Sequence, residues 1–179
     1  VVSLIPAVSI KRKVKPLIRK AVAGSPEISS LSGGTLKYDF GLIKDPAGEI
    51  VNAVVGSVVV DVSKIRATKA KFSGGITVSI QPDDLRNLLS LSVANQIIED
   101  GSALPWLQWL LLSGDSIIIA SAGVEYKTGG RSGGAVMSKD FAPFRVNPMF
   151  SGSSSNNFIT RAIEPQGKKI LQIMRSEFS

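Results

Sequence analysis

The sequence predicts an α+β domain, on three observations. Helical periodicity opens and closes the chain, β-type alternation occupies its middle, and 179 residues is a length that one core serves. From Val14, the apolar residues Leu17, Ile18, Ala21 and Val22 fall close to the i, i+3, i+4, i+7 spacing of an amphipathic helix. Val58, Val60 and Val62, then Ile76, Val78 and Ile80, alternate as the inner face of strands does, and Ile170, Leu171, Ile173 and Met174 return to the helical period. The expected plan is a basic N-terminal helix or arm over 1–24 and a single α+β domain over 25–179. In it a small antiparallel sheet carries a leading basic helix, a short apolar helix and a C-terminal helix packed on it.

Each element has a local reason. Pro16 suits the first turn of the leading helix, where a missing N–H costs nothing, and Gly24 reads as its stop. Ser25-Pro26-Glu27 is a second start signal: a capping hydroxyl, a proline at the first helical position and an acid in the first turn. Asp45-Pro46 opens a short helix to about Val55 in the same way. Ser73-Gly74-Gly75 reads as the turn of a hairpin between the two alternating segments. Asp83-Asp84 is an acidic start for Leu85 to Leu91, and Pro105 begins a short helix through Trp106, Leu107, Trp109, Leu110 and Leu111. That helix is apolar all round, so burial on several sides is expected, with a neighbouring subunit as one source of cover.

Farther on, Ile117-Ile118-Ile119 reads as a central strand. Val124 to Lys127 and Ala135 to Met137 flank a glycine-rich hairpin tip near 128–135, and Pro143, Pro148 and Ser151 to Ser155 form an extended connection. Phe158 to Ile163, a break at Pro165-Gln166-Gly167 and the closing amphipathic helix complete the chain.

Composition removes several classes of function. There is no Cys and no His, so disulfides, thiolate zinc sites, cysteine nucleophiles and histidine general bases are impossible within this chain. Aromatic residues make up 6%, a poor supply of stacking platforms for single-stranded nucleic acid. A mean hydropathy of +0.21 excludes disorder of the whole. No segment reads as a targeting signal or a membrane span: the opening apolar residues precede their charges instead of following them, and the Leu104 to Leu112 run is less than half of a bilayer crossing. A soluble protein without membrane contact is expected, and the initial Val implies an initiator Met or further residues before it.

The 21 Lys and Arg against 14 Asp and Glu give a net charge of +7, unevenly placed. Lys11, Arg12, Lys13, Lys15, Arg19 and Lys20 all precede the first acid, Glu27. A phosphate backbone, a membrane surface or an acidic protein would each suit this cluster, and so would plain solvation of a helix face. Lys64, Arg66, Lys69 and Lys71 form a second set, expected on the first arm of the hairpin. No zinc-finger spacing, aromatic-rich RNA-binding strand or leucine heptad accompanies either set.

Motifs suggestive of chemistry are weak. Gly130-Arg131-Ser132-Gly133-Gly134 matches the G-x-S-x-G nucleophile elbow, but it lies between two strand-like segments and has no histidine to take a proton from Ser132. It also lacks the G-K-[ST] ending and following helix of a phosphate loop. Asp83-Asp84 and Glu99-Asp100 could hold a hard cation, yet paired acids at helix starts and turns are ordinarily caps. No catalytic, metal or cofactor residue is therefore assigned. Trp106 and Trp109, three apart on one helix face, suit either the core or a subunit interface.

Three segments carry a family resemblance: Leu104-Pro105-Trp106-Leu107-Gln108-Trp109-Leu110-Leu111-Leu112 with Gly114-Asp115, Gly129 to Met137, and Asn156-Asn157-Phe158-Ile159-Thr160-Arg161-Ala162-Ile163. Together with Gly34-Thr35-Leu36 they resemble virion structural proteins of tailed bacteriophages, most of all the small neck or tail-completion (tail terminator) proteins. The resemblance implies a ring-forming homo-oligomer without enzymatic activity, located in the virion and assembled in the host cytoplasm beside other neck and tail proteins. Tail terminator, neck adaptor and another virion component all stay open, because the Leu104 to Leu112 segment and the long glycine tip depart from the simplest tail-completion pattern.

A ring subunit would use arms, for which the first 24 residues, the glycine tip and the Ser151 to Asn157 connection are the expected segments. Trp106, Trp109, Arg131, Phe158 and Arg161 are expected at subunit interfaces. Lys11, Arg12, Lys13 and Lys15 are expected to face DNA in a channel, through its phosphates. The alternative is a basic, sequence-independent nucleic-acid-binding module. An enzyme using Ser132 or a carboxylate pair is the remaining rival.

Overall fold

The computed structural model describes residues 4–68, 71–97, 101–114, 116–118, 123–125, 136–138 and 144–177. Its organising element is helix α1, Leu4–Ala23. Ile10, Val14, Ile18 and Val22 recur every fourth residue along it and are all fully buried. Such i, i+4 positions form one stripe, and each buried branched side chain contributes about 1.5–3 kcal/mol. Around this stripe pack α2 (Pro26–Gly33), α4 (Ala47–Gly56), the strand β1 (Val59–Thr68), α7 (Phe158–Ile163) and α8 (Gly167–Ser176). The fold is α+β, with the expected leading, short apolar and C-terminal helices and antiparallel strand pairs.

Two expectations about the N-terminal segment are corrected. Leu4–Ala23 is the helix of the two readings and not an arm, because α1 supplies the middle of the core that the rest of the described chain closes over. Pro16 does not begin the helix but lies inside it, on the exposed side. An interior proline costs roughly 3 kcal/mol and removes the partner of the Arg12 carbonyl. The buried residues on both sides of it offset that cost, and Pro6 is the proline that occupies the first turn.

Helix starts follow the sequence closely. Ser25 caps α2 by accepting a hydrogen bond from the Ile28 amide, with Pro26 at the first position. Asp45 Oδ1 accepts from the Ala47 amide at 2.8 Å as α4 begins. Between them, α3 (Thr35–Asp39) buries Leu36. The acidic pair precedes α5 (Arg86–Leu89), which a 3-10 turn, Ser92–Ala94, follows, and Pro105 stands at the N-cap of α6, Trp106–Leu112.

Among the described residues the strands pair as three separate two-stranded ladders. β1 pairs antiparallel with β2, Lys71–Ser79, from Val59↔Ser79 to Thr68↔Lys71. Pairing thus extends to Thr68↔Lys71, and Ser73-Gly74-Gly75 belongs to β2 instead of forming the turn. The register slips between Ser63 and Arg66, where β1 carries one residue more than β2. The glycines mark this bulge, because a strand opposite an extra residue bends most easily where it lacks Cβ atoms. Lys71 consequently lies on the second arm, with Lys64 and Arg66 on the first. Val60, Ile76, Val78 and Ile80 pack the base of the hairpin on the core.

β3 (Gln96–Ile97) and β4 (Ala103–Leu104) form a small hairpin near Gly101, whose φ of +80° favours glycine. β5 (Gly123–Glu125) pairs with β6 (Val136–Ser138) through Val124↔Met137, in keeping with the expected hairpin, while its tip near 128–135 is outside the described residues. The expected central strand at Ile117 to Ile119 reduces, among the described residues, to one antiparallel bridge between Ile118 and Phe144, with Ile117 exposed.

Truncation on the buried stripe should be felt by the whole fold. Ile18→Ala is expected to lower stability by about 2–5 kcal/mol in urea unfolding. Val8→Ala, on the same helix but at a side chain 66% exposed, should stay within about 0.5 kcal/mol of the parent.

Candidate functional site

The short apolar helix is consumed by the chain's own core. Trp106 is 1% exposed, and its indole Nε1 donates to the Val93 carbonyl at 2.7 Å. Its ring is 5.4 Å from that of Phe40, which lies 5.8 Å from Phe144, and Phe144 lies 5.9 Å from Trp109. These tilted pairs are the ordinary arrangement of rings in an interior. Leu107, Leu110 and Leu111 are buried with them, so a neighbouring subunit is not needed to cover this helix. Phe158, also 1% exposed, belongs to the same core. Trp106 and Phe158 are therefore corrected from interface to core positions, for want of surface to offer a partner. Trp109 is half-buried, Arg161 is exposed at the surface, and Arg131 is outside the described residues.

Arg161 has a specific task. Its Nη2 donates to Glu27 Oε1 at 2.8 Å, and its Nη1 donates to Asn156 Oδ1 at 3.1 Å. The Glu27 side chain is 4% exposed and the Arg161 side chain 38%. The pair ties the start of α2 to α7 across 134 residues of sequence. Beside it, Asn157 is fully buried and caps α7, accepting from the Ile159 and Thr160 amides while its own amide N–H donates to Thr160 Oγ1. Its Nδ2 donates to the Ser153 carbonyl at 3.1 Å. A Cβ on Gly152 would come within 2.8 Å of the Asn157 Cβ and 3.0 Å of the Leu110 carbonyl oxygen. Ser151 to Asn157 is thus a packed junction and not an arm. Local patterns gave no hint of the Glu27 pairing, since a first-turn acid beside Pro26 is an ordinary feature of a helix start.

The outer face of α1 is strongly charged. With one stripe in the core, its cations are driven outward: Arg12, Lys13, Arg19 and Lys20 are exposed, and Lys11 and Lys15 are half-buried. The helix carries no acid of its own. Arg19 Nη1 donates to Asn52 Oδ1 at 2.9 Å, a neutral partner that orients the guanidinium and leaves its charge in place. Lys13 differs from the other expected DNA-facing residues, because it donates to and forms an ion pair with Glu177, just past α8. That contact holds the Glu177 carboxyl below its ordinary 4.5, helped by a hydrogen bond from Ser9 and, to a lesser degree, by the charges of Lys13 and Arg12, against the opposing effect of burial.

Sites for chemistry are thinly represented. Among the described residues there is no group of three Asp or Glu able to hold a metal ion, and no buried side-chain nitrogen or oxygen lacks a hydrogen-bond partner. Asp84 caps the Arg86 amide and pairs with the Arg86 side chain at 3.7 Å, both exposed, which is worth little. Ser132 and the Glu99-Asp100 pair are outside the described residues. An open groove of about 400 Å³ between Leu42 to Pro46 and Ser92 to Ile97 has Lys44 as its charged side chain and Ile43 and Ile97 at exposed positions. Among the described residues no helix is long and apolar enough to cross a membrane. No family model, curated protein or solved structure matches this chain.

Three outcomes follow from this geometry. Trp106→Ala should lower stability by about 3–5 kcal/mol in urea unfolding, as expected for an emptied core position. Arg161→Ala should lower it by roughly 1–3 kcal/mol, because Glu27 is then left buried without its cation, an effect tempered by the partial exposure of Arg161. Since the folded-state value for Glu177 is depressed, its contact with Lys13 stabilises the fold above pH 4.5 and is lost as pH falls through the lowered value. The stability difference between the parent and Glu177→Gln should accordingly shrink on acidification below that range, measured by urea unfolding at a series of pH values.

Proposed function

We propose that the chain is a structural subunit of a tailed-phage virion, which acts by assembling with copies of itself into a ring at the head–tail neck or the tail terminus. It works through surfaces and not through a reaction, in the virion after assembly in the host cytoplasm, with other neck or tail proteins as neighbours. The observation that carries this reading is the β1–β2 hairpin. Its strands are 10 and 9 residues long and, among the described residues, pair with nothing but each other. Isolated two-stranded ladders are marginal in water, and free edges of this length are templates for pairing with another chain. The core grips the hairpin near its base, through Val60, Ile76, Val78 and Ile80, while the ladder continues to Thr68↔Lys71. Pairing along such an edge would join one subunit to the next without any cofactor. The likeness of Leu104 to Leu112 and Asn156 to Ile163 to neck and tail-completion proteins supports the same reading.

The test is the mass of the purified chain by light scattering at low and high salt. A defined oligomer well above the 18.9 kDa of one chain is the expected result. A monomer at every concentration and salt, which also fails to assemble with purified neck or tail components, would overturn the proposal.

A further inference from the structure

The cations of α1 form a surface more specific than a solvated helix face. Arg12, Lys15 and Arg19 stand at i, i+3 and i+7, on one side of the helix and bordering the buried stripe, with Arg12 and Arg19 exposed and Lys15 half-buried. They span about 10 Å along its axis, at about 1.5 Å per residue. Lys11 and Lys20 flank them, and no acid of α1 interrupts the row. Lys13 lies off this row, drawn to Glu177 at the far end of the chain.

We infer that this face binds the phosphate backbone of duplex DNA through Arg12, Lys15 and Arg19, and that Glu177 restrains the binding by holding Lys13 in an ion pair. Three observations favour a duplex over a membrane and over single-stranded nucleic acid. A helix that lies on a membrane must sink its apolar side into the lipid, but Ile10, Val14, Ile18 and Val22 are fully buried in the protein core. Single-stranded nucleic acid is gripped by stacking on aromatic rings, and α1 contains no aromatic residue. A row of cations fixed on a stiff rod suits the regular charge of a duplex, whose recognition by phosphate contacts is independent of sequence. Arg19 is already oriented by Asn52. The inference concerns the purified chain and holds whether or not the chain forms a ring.

The restraint gives the proposal its sharpest consequence. Because Lys13 is held by Glu177, removing it from the parent should change little, whereas freeing it should add a contact. The experiment is fluorescence anisotropy of a labelled mixed-sequence DNA duplex, titrated with the purified chain between about 50 and 200 mM salt. Urea midpoints and far-UV circular dichroism confirm that each variant is folded. Arg12→Ala, Lys15→Ala and Arg19→Ala should each weaken binding and lower the slope of log K against log salt by about 0.9, which reduces the fall in affinity over that range by about threefold. Glu177→Gln should strengthen binding and raise the slope. Lys13→Ala should be nearly silent in the parent and should remove the gain in the Glu177→Gln background, a coupling that a double-mutant cycle measures.

Absence of duplex binding at the low-salt end would overturn the proposal, as would equal binding by the three face variants and the parent. Binding of anionic phosphatidylserine vesicles, with the same dependence on Arg12, Lys15 and Arg19 but no binding of duplex, would assign the face to lipid and overturn it. Weaker or unchanged binding by Glu177→Gln, or a loss on Lys13→Ala alone as large as on Arg12→Ala, would overturn the restraint. The oligomeric mass is read separately, so failure here and failure of the ring reading are distinguishable.

Discussion

Burial of one side of α1 is the constraint from which the remaining structure follows. Ile10, Val14, Ile18 and Val22 leave water together, and α2, α4, α7, α8 and the base of the β1–β2 hairpin supply the surfaces that cover them. Because these partners come from both ends of the sequence, the helix cannot detach as an arm without opening the core. The same constraint explains the tolerance of Pro16, whose ring sits on the exposed side while buried neighbours on adjacent turns hold the helical path. It also dictates where the charge goes. With the apolar stripe fixed inward, Arg12, Lys13, Arg19 and Lys20 of α1 are exposed and Lys11 and Lys15 half-buried, and a cationic face results without any further device.

Long-range closure falls to a few polar groups at the junction of α2, α6 and α7. Asn157 caps α7 from a fully buried position, Gly152 lets the backbone pass close to Leu110, and the Glu27–Arg161 pair joins chain segments far apart in sequence. A buried carboxylate is costly unless it is paired, so Glu27 commits the chain to bringing Arg161 to that spot. Apolar burial drives compaction here, while these polar contacts fix which surfaces meet.

Signals that act within a turn or two of chain were legible in the sequence. Ser25-Pro26, Asp45-Pro46 and Pro105 each open a helix because capping chemistry depends on residues two or three positions apart. The strand alternation around Val60 and Val78 was legible for the same reason. Three features were not. Ser73-Gly74-Gly75 has the composition of a turn, but a bulge needs the same freedom of backbone, and register is decided by the partner strand. Trp106 and Trp109 have a composition shared by interfaces and cores, and the choice depends on Phe40, Phe144 and Val93, which are distant in the chain. The attachments of Glu27 to Arg161 and of Glu177 to Lys13 leave no local trace. As for the candidate site, the presence of the cationic face was visible, and the pairing of Lys13 with Glu177 and of Arg19 with Asn52 was not.

The core placement of Trp106 and Phe158 changes where a partner must be met. With the large aromatic anchors spent inside the chain, the usual centre of a protein–protein hot spot is missing from the positions where the sequence suggested it. What the described surface offers instead is backbone at the free edges of the β1–β2 ladder and charge along α1. Edge pairing is directional and needs no large side chain, since successive N–H and C=O groups specify register by geometry. Charge is long-ranged and tolerant of register, so it suits a uniform polyanion better than a unique protein surface. The two features are complementary on one chain: a ladder edge offers a directional, register-specific surface, and the α1 face offers one suited to a partner whose charge repeats.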